Sequence, residues 1–206
     1  MRRTERPTLR ALRLALGLLT LAAVGFQFAT SLKTPNYNPV NFFSFYTIIS
    51  NTFAAFVLLF VAGARKTATR GVDLLRGAAV FCLAIVGIVF SALLANVESG
   101  TVPWVNLVVH YITPVAAVLD WVVDPPHSNL RITDGLLWLL VPLVYICYTL
   151  VRGSLVHWYP YPFLDVGKNG YASVTVYIAA IFVLSLLVAL VVLAAGNRLG
   201  ARPTIA

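Results

Sequence analysis

The sequence predicts an all-α, polytopic membrane protein, a single domain over residues 1–206 that forms a six-transmembrane-helix bundle. Of the 206 residues, 60% are hydrophobic and only 11% are charged. The mean hydropathy is +0.87, well above that of soluble domains. The basic residues lie between long apolar segments rather than on one face, which indicates membrane topology. We therefore expect membrane lipids as partners and no nucleic acid.

The six segments are each long enough to cross about 30 Å of hydrocarbon as a helix. Backbone polar groups in lipid must be satisfied within the segment, which favours helices over strands. Five arginines precede the apolar run from about Leu14 to Phe28, as in a signal peptide, but no small-x-small cleavage site follows. We therefore expect an uncleaved first helix. The helices are predicted at roughly 10–30, 40–62, 73–96, 104–123, 133–151 and 170–195.

The last two segments and the cysteines offer few candidates for a catalytic or ligand-binding role. Pro142 predicts a kink in the fifth helix, and the sixth is expected to face lipid or to be structural. Cys82 and Cys147 both fall within apolar segments, without the spacing of metal ligands. They are predicted to be buried thiols, with no disulfide, no metal and no cofactor.

The distribution of Lys and Arg predicts the orientation. Twelve of the fifteen basic residues lie on the side of the bundle that holds both termini. The other side has only Lys33, Arg152 and Lys168. Because cytoplasmic loops are enriched in Lys and Arg, we expect a multi-pass protein of the cell membrane with both termini cytoplasmic.

The second helix contains a polar stripe, and the fourth helix contains a histidine at a similar depth. Thr47 lies seven residues past residue 40, about 10 Å deep, and His110 lies six residues past Trp104, about 9 Å deep. Both helices run from outside to inside, so topology places the two residues at one level. We predict that they meet as a catalytic pair beneath the outer surface. The stripe comprises Asn41, Ser44, Thr47 and Asn51.

Other polar residues are expected to surround this pair. Asn106 lies one turn above His110, and Pro114, four residues after the histidine, offers no N–H to its carbonyl. A membrane threonine commonly only packs or bonds to its own backbone, whereas an ionisable residue more often marks function. The candidates for substrate or oxyanion contacts are Ser44, Asn51, Asn96, Asn106 and His157.

The remaining acidic residues are expected either far along the helix from Thr47 and His110 or in the outer loops near them. Asp120 lies ten residues beyond His110, about 15 Å along the helix, which argues against a triad. It is expected to act with Asp124 as an interfacial cap or to pair with Arg131. Asp165 and Glu98 are the outer carboxylates that are candidates to orient His110.

The loop before the sixth helix is rich in aromatic residues, and its two alternate prolines exclude a regular helix. Aromatic residues of this kind gather at membrane interfaces, so Trp158 and Tyr159 are first interpreted as anchors. The alternative is a lid that folds back over a pocket containing Thr47 and His110. The sequence leaves both interpretations open.

Three motifs resemble those of a known family, the androgen-induced and androgen-dependent membrane proteins of animals with their prokaryotic six-helix relatives. The motifs are Phe45-Tyr-Thr47, Asn106-Leu-Val-Val-His110 with Pro114, and Trp158-Tyr-Pro-Tyr-Pro-Phe-Leu-Asp165. The residues around them look closer to the prokaryotic branch. The resemblance implies an intramembrane hydrolase of fatty acid esters of hydroxy fatty acids. It also implies a threonine nucleophile and a histidine, roles that map onto Thr47 and His110.

The predicted function is therefore hydrolysis of an amphiphilic lipid ester near the outer membrane face. Two alternatives remain. The polar stripe suits a protein that binds or transports a lipid or a small solute without hydrolysis. His110, with His157 as a second axial ligand, also suits a haem-binding membrane protein.

Overall fold

A computed structural model describes residues 7–64, 69–97 and 100–200. These residues are 83% helical and contain no strand. Six helices are long and apolar enough to span a membrane, so the chain is a multi-pass membrane protein and the predicted all-α, six-helix class is confirmed. They are α1 (Pro7–Ser31), α2 (Tyr46–Gly63), α3 (Arg70–Leu94), α4 (Pro103–Val123), α5 (Ile132–Val156) and α6 (Val166–Gly200).

The second helix is not the single helix that was predicted over 40–62. A short helix, Pro39–Phe43, begins after the Asn38 side chain accepts the Val40 N–H, and α2 starts only at Tyr46. Between them Phe45 has an extended backbone, with φ −77° and ψ 128°. The polar stripe is therefore divided, and Thr47 is the second residue of a helix instead of lying mid-helix.

Four other helices depart from regular geometry. α3 ends in a π-helical turn, Phe90–Leu94, and α4 contains another, Val108–Ile112. α5 is interrupted at Leu139, three residues before Pro142, because a proline ring has no N–H and clashes with the preceding turn. An interruption is thus observed close to Pro142, where a kink was predicted. α6 bends at Gly170, whose φ of 72° favours glycine.

Helix α3 lies at the centre of the bundle, where it packs against α2, α4 and α6, while α1 lies along α2. Small residues of α3 allow other helices to approach it closely, since a Cβ at Gly77 would enter the Trp138 ring of α5. α6 leaves most of its apolar surface exposed, in agreement with its predicted lipid-facing role. Cys82 is buried as predicted, but Cys147 is exposed because it lies on the outward face of α5.

Two buried arginines and two half-buried aspartates join α1, α3 and α4 at the end of the bundle opposite Thr47. Arg13 lies 2.6 Å from Asp120 and 2.7 Å from Asp124, and Arg76 lies 3.0 Å from Asp120. The predicted partner of Asp120, Arg131, is therefore wrong. The two arginines occupy helices that pack against α4, so they reach its carboxylates directly, and two positive charges offset two negative ones.

Candidate active site

Thr47 and His110 are in contact. Thr47 Oγ1 lies 3.4 Å from His110 Nε2, and each residue is 8% exposed. This distance is longer than an ordinary hydrogen bond, as is common for catalytic hydrogen bonds before a substrate binds. The predicted meeting of the two side chains is therefore observed. Their catalytic roles stay predictions.

The second ring nitrogen of His110 defines its tautomer. Nδ1 lies 2.8 Å from Asn106 Oδ1 and 3.2 Å from the Asn106 carbonyl oxygen. Because a carbonyl oxygen only accepts, Nδ1 carries the proton and donates it to Asn106. Nε2 is then unprotonated and faces the Thr47 hydroxyl, which is the arrangement that a general base requires. Asn106 therefore orients the histidine, a role for which Asp165 and Glu98 are the carboxylate candidates in the sequence.

The His110 ring is fixed by stacking as well as by hydrogen bonds. Phe90 lies parallel to it, with ring centroids 3.7 Å apart and planes inclined by 15°. Both residues belong to π-helical turns, which occur often at functional sites. The His110 carbonyl, to which Pro114 offers no N–H, faces Gly87 of α3, where an added Cβ would lie 3.5 Å from that oxygen. α3 and α4 therefore approach closely here.

Tyr161 completes the site from the loop between α5 and α6. Its hydroxyl oxygen accepts the Thr47 N–H at 3.3 Å and lies 3.3 Å from Thr47 Oγ1. Since that oxygen accepts from the backbone, the phenol hydrogen can be donated toward Thr47 or toward a ligand. Burial raises the pKa of the Tyr161 phenol, which keeps it protonated at neutral pH.

The loop around Tyr161 folds into the bundle. Tyr161 and Phe163 are each 9% exposed and stack with planes inclined by 3°. This arrangement favours the lid interpretation of the loop over a plain interfacial anchor. The sequence reasoning did not name Tyr161 as a site residue, although its flanking prolines and the aromatic motif of the resemblance marked the segment.

Two members of the polar stripe are committed to other partners. The Asn51 amide donates to the carbonyls of Thr47 and Val109, at 2.9 and 3.0 Å, and so ties α2 to α4 beside the pair. Ser44 donates to the Val40 carbonyl at 2.7 Å, and its oxygen lies 2.8 Å from the Tyr148 hydroxyl. Both residues position the site, and their predicted role as oxyanion donors is not supported by these contacts.

The other predicted residues lie apart from the pair. Asn96 is exposed beyond the end of α3, and His157 is exposed where it ends α5 in a left-handed conformation, with φ 53°. Asp165 lies 3.6 Å from Lys168 and accepts its N–H. Glu98 lies outside the described residues. Within the described ranges, no group of three or more His, Cys, Asp or Glu residues is arranged to hold a metal.

A cavity that is partly open to the surroundings adjoins Thr47 between α2, α3, α5 and α6, and its empty space of about 530 Å³ includes the open space at its mouth. Thr47 lines it, whereas His110 does not, so a nucleophile on Thr47 would face the cavity with its base behind it. The rest of the lining is almost entirely apolar or aromatic and includes Phe90, Pro142 and Tyr145. Such a space suits a hydrocarbon chain better than a polar solute.

No family model, curated protein or solved structure matches this chain.

Proposed function

We propose that the protein is an intramembrane hydrolase of lipid esters, with Thr47 as nucleophile and His110 as general base. The observation that carries this proposal is the chain of contacts from Asn106 through His110 to the Thr47 hydroxyl. An orienting acceptor, a histidine in the correct tautomer and a hydroxyl nucleophile are the three parts of an acyl-transfer triad.

In the first half of the reaction, His110 Nε2 accepts the Thr47 hydroxyl proton while Oγ1 attacks the ester carbonyl carbon. The tetrahedral intermediate collapses when His110 returns that proton to the alcohol oxygen, and the alcohol leaves. The product is an acyl-threonine. Water then attacks the acyl carbon, with His110 again as base, and releases the acid and free Thr47.

Two features support stabilisation of the oxyanion. Thr47 is the second residue of α2, so the negative charge develops at the positive end of an 18-residue helix. The Tyr161 hydroxyl lies beside Thr47 Oγ1 and remains protonated, which makes it the donor we assign to the oxyanion. The earlier candidates Ser44 and Asn51 donate to backbone carbonyls instead.

The substrate we propose is an amphiphilic ester whose acyl chain occupies the apolar cavity. Fatty acid esters of hydroxy fatty acids, which the family resemblance implies, belong to this class. The charge distribution supports a location in the cell membrane with both termini cytoplasmic, so the site lies near the outer face. Insertion of cysteines next to the termini, followed by labelling with an impermeant maleimide, tests the orientation.

A fluorophosphonate probe tests the nucleophile. The purified protein should be labelled at Thr47, with release of fluoride, and Thr47→Ala should abolish the label. Thr52→Ala, in the same helix, is the matched control and should leave labelling intact. His110→Ala should slow labelling by about 100-fold or more, since a general base contributes at least that much. Labelling that persists in Thr47→Ala would sink the assignment.

A parallel screen of ester lipids separates hydrolysis from the alternatives. Turnover that is lost in both Thr47→Ala and His110→Ala supports the hydrolase. Saturable lipid binding or liposome uptake without turnover by the wild type would favour a binding or transport protein. A visible absorption band that disappears in His110→Ala would favour haem binding.

A further inference from the structure

Arg152 is a half-buried cation at the same end of the bundle as Thr47, and no carboxylate of the described residues contacts it. The two arginines buried at the opposite end, Arg13 and Arg76, each contact aspartates. Leaving a partly buried guanidinium without a counter-charge is costly, and residues of this kind commonly serve an anionic ligand.

Two side chains hold the Arg152 guanidinium in place. One of its nitrogens donates to Asn41 Oδ1 at 2.6 Å, and its central carbon lies 5.2 Å from the centroid of the Trp158 ring. Neither contact neutralises the charge. Of five guanidinium N–H groups, only one is used by the described residues, so a fork of donors remains for a ligand.

The position of Arg152 connects it to the proposed catalytic site. Tyr145, Tyr148 and Arg152 lie at i, i+3 and i+7 of α5, and all three contact the segment that precedes Thr47. Tyr145 also lines the cavity beside Thr47. Seven residues of helix separate Tyr145 from Arg152, which is about 10 Å along the axis.

We propose that Arg152, held by Asn41 and Trp158, binds the anionic group of the lipid that occupies the cavity. This inference rests on the proposed function, because that lipid is the ester substrate or its acid product. The anion is a carboxylate or a phosphate, since both accept two parallel N–H bonds from a guanidinium. The hydrocarbon chain extends from Arg152 into the cavity lined by Thr47.

Binding measurements in neutral detergent test the inference without turnover. Palmitate, hexadecyl phosphate and hexadecanol each contain sixteen carbon atoms in one unbranched chain and differ in the head group, so their dissociation constants isolate the contribution of the charge. The wild type should bind at least one anion about tenfold or more tightly than the alcohol. The preferred anion distinguishes a carboxylate from a phosphate source.

Three variants make the test specific. Arg152→Gln should lose the preference for the anion, and Arg152→Lys should retain part of it because the charge remains without the fork. Lys33→Gln removes an exposed positive charge from the same end and should bind as the wild type does. Equal thermal unfolding midpoints establish that Arg152→Gln is folded. If Arg152→Gln unfolds, the comparison of Arg152→Lys with Lys33→Gln decides, and equal affinities in that pair overturn the inference.

The inference fails if the anion preference survives in Arg152→Gln, if Lys33→Gln loses as much, or if the wild type shows no preference. These outcomes are independent of hydrolysis. A protein that binds anions through Arg152 but is not labelled at Thr47 refutes only the proposed hydrolase. A protein that is labelled at Thr47 but has no anion preference refutes only the Arg152 site.

Discussion

Replacement of Asn106 by alanine removes the side-chain acceptor that orients His110. The lost bond, from His110 Nδ1 to Asn106 Oδ1, measures 2.8 Å, whereas the bond to the backbone carbonyl, at 3.2 Å, remains and still favours the same tautomer. A neutral hydrogen bond contributes roughly 1 kcal/mol, and one to the imidazolium formed in the transition state roughly 1.5–3 kcal/mol. The bond is present before and during the reaction, so the rate depends on the difference between these two values, roughly 0.5–2 kcal/mol. Since 1.36 kcal/mol is about tenfold in rate, Asn106→Ala should react roughly 2- to 30-fold more slowly.

The rate constant for fluorophosphonate labelling is the suitable assay, because it reports activation of Thr47 without knowledge of the substrate. Asn106→Asp accepts the same N–H bond and should react faster than Asn106→Ala. Asn96→Ala, an exposed asparagine outside the contact network, should lie within about twofold of the wild type. A loss of less than twofold in Asn106→Ala, or an equal loss in both alanine variants, would refute the orienting role.

Further outcomes are expected at three places. Tyr161→Phe keeps the aromatic packing but should lower turnover about 100-fold or more, as loss of an oxyanion donor does. Because burial raises the Tyr161 pKa, that donor should stay protonated, and turnover in wild-type protein should persist, up to pH 10. Gly153→Ala places a Cβ against the Tyr159 ring of the lid and should slow fluorophosphonate labelling. Gly25→Ala is the control, because open space surrounds that position, and it should not slow labelling. Asp120→Asn should lower the free energy of unfolding, measured by thermal unfolding in detergent, by about 3 kcal/mol or more. Asp165→Asn removes the more exposed ion pair with Lys168 and should lower it by at most about 1 kcal/mol.

The number of helices and the level of the two key residues could be predicted from the sequence. Uncharged runs of about 20 residues have few alternatives to a membrane-spanning helix, so most helix bounds differ from the prediction by only a few residues. Thr47 and His110 could be placed at one depth because chain direction alternates with each crossing. The depth of a residue in the membrane depends only on its position within its own helix, so it can be predicted from the sequence.

The details that depend on packing between distant segments could not be predicted. Tyr161 reaches Thr47 across 114 positions of sequence, and Arg13 reaches Asp120 across 107. The break before Tyr46 arises where side chains of another helix satisfy the backbone, as when the Tyr145 hydroxyl donates to the Ser44 carbonyl. A 3.6-residue period read along one segment contains no information about such partners.

The bundle has two polar clusters, the charged residues around Asp120 and the contacts around Thr47 and His110. Variants in each cluster allow effects on stability and on catalysis to be measured separately. The charge cluster at one end joins α1, α3 and α4, and α3 and α4 also carry Phe90 and His110 at the other end. If the cluster only stabilises the bundle, Asp120→Asn lowers the unfolding midpoint but leaves the labelling rate per folded molecule unchanged. If it also fixes the register between α3 and α4, the rate falls with the midpoint, because a shift of even 1 Å between Thr47 and His110 exceeds hydrogen-bond reach. Asn106→Ala should give the opposite pattern, with slower labelling at a nearly unchanged midpoint, since Asn106 is half-buried and its bond to His110 lies within a single turn of α4.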